Sequence, residues 1–154
     1  MTKKYFLLTV LILSIATSCK KSNLNKDLCD CAKSPTTQTI DTTILTIPNI
    51  FTPNGDGFND YWVIKNINYF PNCHVKIMKE GLFHKTVYES TGYSSNFWNG
   101  EGKSDSYKYE ITIGSTTITG YVCVILGDKN FNPTDYNCLK GCTPIDHNDP
   151  TIGL

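Results

Sequence analysis

A β-sandwich of six or seven strands is the fold this sequence predicts, and three features predict it. Short apolar runs follow one another from residue 44 to residue 126, separated by clusters of Gly, Pro, Asn and Asp. Two of the runs alternate with a period of two. Cys73, Val75 and Ile77 interleave with His74, Lys76 and Met78, and Tyr107, Tyr109, Ile111 and Ile113 interleave with polar neighbours. After residue 18 no span of ten residues carries a 3.6-residue period, so the chain offers no helix with an apolar stripe to bury. The class is all-β.

The first segment stands apart from that fold. Lys3 and Lys4 precede a mostly apolar run over residues 5–16, and Thr17-Ser18-Cys19 follows. A basic start, a short apolar core and small residues make residues 1–18 an export leader. The run is shorter than the roughly 20 apolar residues that cross a membrane. A cysteine after small residues resembles the lipobox of bacterial lipoproteins, which marks Cys19 as the lipid-attachment residue. Residues 19–46 are rich in Lys, Ser, Asn, Asp and Thr and read as a polar tether, extended around Ser34-Pro35-Thr36.

The globular unit is expected over residues 47–127. Its first strand begins with Ile44, Leu45, Ile47 and Ile50, and a polar loop from Phe51 to Asp60 interrupts it. Pro53 fixes its own φ and holds Thr52 extended, so the strand ends there. Gly55 and Gly57 can take positive φ, while Asn54, Asp56 and Asn59 can fold side-chain oxygens onto main-chain N–H groups. Tyr61–Ile64 resumes an apolar run, and residues 66–72 make a crossing connection. The strand from Cys73 to Met78 turns at Glu80-Gly81 into a strand over residues 82–88, and residues 89–96 read as a loop. Trp98-Asn99-Gly100 forms a turn, Tyr107–Ile113 the next strand, and Gly114-Ser115-Thr116 leads into a last strand over residues 117–126. Residues 128–154 are a cysteine-containing tail, expected to wrap the surface and to fray after Asp146.

The run Pro48-Asn49-Ile50-Phe51-Thr52-Pro53-Asn54-Gly55-Asp56-Gly57-Phe58-Asn59-Asp60 resembles the opening signature of the gliding motility-associated C-terminal domain. Val75-Lys76-Ile77 with Gly81, Trp98-Asn99-Gly100 and Tyr107-Lys108-Tyr109-Glu110-Ile111 follow in the same order. The resemblance implies an immunoglobulin-like β-sandwich that serves as a sorting module for type IX secretion. It makes Pro53, Gly55, Gly57, Trp98 and Gly100 the structural marks of the motif. Met78-Lys79-Glu80-Gly81 and Lys103-Ser104-Asp105-Ser106 depart from the family's usual runs at those places.

Composition narrows the partners. Losing Lys3 and Lys4 with the leader leaves twelve lysines against fourteen acidic residues, a net charge of −2, with no arginine. A chain without guanidinium forks is poorly equipped to grip phosphate, so nucleic acid is excluded as a partner. Six cysteines remain besides Cys19, an even set that reads as disulfides in an exported chain. The grouping expected joins Cys29 and Cys31 to Cys138 and Cys142, and Cys73 to Cys123. The alternative for the first four is a zinc site, although their C-x-C and C-x-x-x-C spacings match zinc ribbons poorly.

Asn54, Asp56, Asn59 and Asp60 place hard oxygen ligands within seven residues, so Ca²⁺ is a candidate cofactor. The alternative is a self-capped turn whose side chains bond to backbone N–H groups. Trp98 is either an exposed platform for sugars or a lid over one end of the core. Catalysis draws no support: His74, His84 and His147 fall in different elements and no serine sits in a nucleophile elbow. The expectation is a non-enzymatic cell-envelope lipoprotein, held to the membrane (the outer membrane by expectation) through its N-terminal lipid. It would present its sandwich to an envelope protein partner. The alternatives are a type IX sorting or anchoring domain and a carbohydrate- or Ca²⁺-binding surface module.

Overall fold

Alternation with a period of two gives each strand one apolar face, and two such faces closed on each other define the core. The computed structural model of the chain describes residues 33–79, 84–93, 98–127, 142–144 and 146–149. The leader, Cys19, Cys29, Cys31, Cys138 and the Glu80-Gly81 turn lie outside those residues. Within them run β1 (Thr37–Ile40), β2 (Thr43–Thr46), β3 (Ile50–Phe51), β4 (His74–Lys79), β5 (Lys85–Thr91), β6 (Asp105–Ile113) and β7 (Thr116–Val124). One sheet is the β1–β2 hairpin; the other is five-stranded in the order β3-β7-β6-β4-β5. The ladders are antiparallel except for the short parallel pairing of β3 with β7. The fold is the all-β sandwich that the alternation predicts.

The inner face of the larger sheet carries Val75 and Ile77 from β4, Tyr107, Tyr109, Ile111 and Ile113 from β6, and Ile118, Val122 and Val124 from β7. Facing them are Leu45 and Ile47 from the hairpin side, with Trp62 and Ile64 from the segment that follows the polar loop. That segment is no ladder strand. Lys65 alone bridges to Thr46, with N–H···O distances of 2.9 and 3.3 Å, and this widens the hairpin layer. The two layers meet through aromatic rings. Trp98 stands edge-on to Tyr107 at 4.9 Å between centroids, and Trp62 lies 5.2 Å from Tyr109. Burying each such ring removes on the order of 150–250 Å² from water. The Trp62 indole N–H is satisfied by the Pro48 carbonyl.

Three expectations need correction. Residues 37–46, read as tether, form the first hairpin. Its threonines are β-branched and suit a pleated edge, and Asp41 makes the turn at φ 53. Ser34, also read as tether, joins the fold too: its Oγ accepts the Tyr121 N–H at 2.6 Å on β7 where β3 does not reach. Second, Cys73 and Cys123 are not joined; both are buried thiols. β6 lies between their strands. Cys73 adjoins the His74–Thr112–Thr117 end of the sheet, whereas Cys123 pairs with Ser106 at the other. Six residues of strand separate those levels, roughly 20 Å, far beyond disulfide reach. Third, β5 runs over Lys85–Thr91, so residues 89–91 are strand rather than loop.

Candidate functional site

The polar loop closes on itself through its own side chains. Asp60 accepts the N–H groups of Gly55 (2.6 Å) and Gly57 (2.9 Å), one on each carboxylate oxygen. Asp56 accepts the Phe58 N–H and the Asn54 amide, both at 2.9 Å, and the Asn54 side-chain oxygen takes the Asp56 N–H at 3.0 Å. Gly55 and Gly57 stand at φ 80 and 93, where a side chain would be strained. The loop therefore adopts the self-capped form. Its carboxylates serve main-chain donors, and Asn59 turns away from the other three candidate cation ligands. No cluster of three or more His, Cys, Asp or Glu suited to a metal occurs among the described residues.

Asn59 instead faces the C-terminal tail. It is 7% exposed, and its Nδ2 donates to the Asp146 carbonyl while its Oδ1 accepts the Asp146 N–H, each at 2.9 Å. The same Nδ2 donates to Asp149 Oδ2 at 2.9 Å, and the Thr52 hydroxyl donates to that oxygen too. Farther along, Asn49 and Thr143 exchange hydrogen bonds: Asn49 N–H to the Thr143 carbonyl at 3.2 Å, and Thr143 N–H to Asn49 Oδ1 at 2.6 Å. Asp149 is only 3% exposed, so, against expectation, residues 147–149 remain packed beyond Asp146. Cys142 is buried and disulfide-bonded. Asn49, Thr52 and Asp149 escaped the sequence reading as site residues. Asn49 and Thr52 lie in the quoted motif, but nothing local marks Asp149 as their partner.

The remaining candidates sort cleanly. Trp98 is buried against Phe51, Trp62 and Tyr107 and cannot serve as a sugar platform. Gly100, at φ 79, closes its turn 3.0 Å from Val124, measured from where a Cβ would stand. A shallow surface cleft of about 220 Å³ lies beside the loop, lined by Pro53, Gly55, Asp60, Tyr61 and Asn99. Tyr61, 49% exposed, is its aromatic wall. His74 sits on the outer face of β4 with Nε2 3.0 Å from Glu89 on β5, and both side chains are substantially exposed. That is a cross-strand surface pair, not a catalytic dyad in a cleft. Lys79 and Asp105 pair across β4 and β6, and the contact holds the lysine pKa above its ordinary value.

The model of the CHU_C type IX secretion signal domain matches residues 45–124, just over half of the chain, from β2 to the end of β7. The chain belongs to that family. Membership ties this type IX secretion signal domain to type IX secretion, and through it to the cell envelope or the secreted proteins. The match takes in the self-capped loop and the Trp98 turn; the tail that docks on Asn49, Thr52 and Asn59 lies outside it. No curated protein and no solved structure matches the chain.

Proposed function

We propose that this chain is a non-enzymatic cell-envelope lipoprotein, held by a lipid on Cys19, whose sandwich is the part handled by type IX secretion. The observation that carries the reading is the family match from residue 45 to residue 124, which spans the shared core of both sheets. The described titratable groups agree with it: His74 and Glu89 pair at the surface, and the loop carboxylates are occupied by N–H donors. Two acyl chains or more on one cysteine give stable anchoring where a single chain binds only marginally. The cysteines of the two ends, Cys29, Cys31, Cys138 and Cys142, would staple the chain around the sandwich.

Fractionation tests the anchor: Cys19→Ala should move the protein from the membrane fraction to the soluble fraction, and retention in the membrane contradicts the lipid. Protease shaving of intact cells then assigns the face of the membrane. A second reading, a sorting domain proper, is favoured by the same family match. It predicts that residues 33–154 direct an unrelated passenger to the cell surface.

A further inference from the structure

Asn49, Thr52 and Asn59 form a buried polar patch on which the tail is seated. We infer that this patch is a docking site for a peptide segment that offers its main chain to two asparagines and an aspartate to Thr52. The inference does not rest on the lipid or on the sorting reading.

The receptor groups are all buried: Asn49 and Thr52 are fully so and Asn59 nearly so. Buried carboxamides must be bonded: the Asn49 side chain accepts the Thr143 N–H, and the Asn59 side chain takes both the N–H and the C=O of Asp146. Asn49, just before β3, holds the Thr143 peptide group with its main-chain N–H and its side-chain oxygen. Asn59 closes on the Asp146 peptide group with both ends of its amide. Such contacts accept many side chains. Selectivity comes from the final contact, the Asp149 carboxylate under Thr52 and Asn59. An Asx turn delivers it, with the Asn148 N–H on Asp146 Oδ1 at 2.9 Å.

The receptor residues lie inside residues 45–124, while the occupant comes from beyond them, 87 to 97 positions away in sequence for the Asn59 and Thr52 contacts. The domain therefore carries the patch and the tail covers it in cis. The ligand class is a peptide that gives one peptide group to Asn49 and then presents Asp-x-Asn-Asp or its carboxylate equivalent. Tethering gives the resident tail a high effective concentration, so an outside peptide competes only when the tail's own grip is weakened.

The test uses the mature chain with Cys19→Ser and a fluorescein-labelled peptide of residues 143–150, read by fluorescence anisotropy. Asp149→Ala in the chain removes the resident carboxylate and should tighten peptide binding at least tenfold over the unaltered tail. A peptide with alanine in place of its last aspartate should lose that gain. Thr143→Pro deletes the N–H given to Asn49 and provides a second weakened chain should Asp149→Ala fail to fold. Equal binding to the weakened and unaltered chains, equal binding of the two peptides, or no binding to any chain overturns the site.

Discussion

Tyr109 on β6 lies directly across from Gly120 on β7, so close that a Cβ added at Gly120 would fall 2.4 Å from the phenolic oxygen and 2.6 Å from Cζ. The glycine is there for space. It lets a fully buried tyrosine lie flat against the sheet, where its ring also reaches Trp62.

Gly120→Ala is accordingly expected to destabilise the protein by about 1–3 kcal/mol, the usual cost of overpacking a core. The entropic gain of replacing glycine, roughly 0.4–1 kcal/mol, offsets only part of it. Adding Tyr109→Phe should not rescue the variant, because Cζ stays in place when the hydroxyl is removed. Urea unfolding of the unaltered protein and the two variants measures this.

Asn59 holds a positive φ of 45, so glycine is the substitution that removes its amide without adding backbone strain. Asn59→Gly leaves the Asp146 peptide group and the buried Asp149 carboxylate short of partners. A loss of about 2–3 kcal/mol is expected. Faster hydrogen exchange at the Asp146 and Thr143 amides should accompany it, with the β6 amides unchanged. Uniform loss of protection would instead show that the contact supports the whole sandwich.

Tyr107 makes the opposite case. Its hydroxyl is buried and has no hydrogen-bond partner among the described residues. Removing an unsatisfied group costs nothing in lost bonds, so Tyr107→Phe should leave stability unchanged or raise it by about 1 kcal/mol. The melting temperature decides; a clear fall would reveal a partner for that oxygen.

The same residue gives the protein an alkaline limit. Burial pushes the Tyr107 phenol up to about 12, with Asp105 and Glu101 adding to the rise. Hydrogen bonding to Asp105 raises Lys79 as well. Both groups hold their proton more tightly folded than unfolded. Their contribution is therefore complete below about pH 10, the unfolded tyrosine value, and fades as pH climbs through the folded values. Stability should be flat in this respect up to about pH 10 and decline towards pH 12, with phenolate absorbance rising in step with unfolding.

What the sequence revealed follows from which forces are local. β4 and β6 were legible because Val75, Ile77, Tyr107, Tyr109 and Ile111 alternate with polar residues, and alternation needs no knowledge of the partner strand; β7 was legible from the turn signal Gly114-Ser115-Thr116 before it. The β1–β2 hairpin was hidden because Thr37, Thr39, Thr42 and Thr43 resemble a solvated spacer; only their β-branching speaks for a strand. β3 has two residues, and its parallel pairing with Cys123 and Val124 is a tertiary fact without a local signature. In the loop, the capping by Asp56 and Asp60 was readable from spacing. The turning of Asn59 towards Asp146 was not, because its partner lies 87 residues on.

The most direct test of the account is where a passenger protein goes. Residues 33–154 placed behind an export leader and fused to a reporter should bring it to the surface of type IX-competent cells, where added protease digests it. In cells lacking that secretion system the same fusion should stay protected inside. Protection in both strains, or equal digestion in both, would contradict the proposed role of the sandwich in type IX secretion.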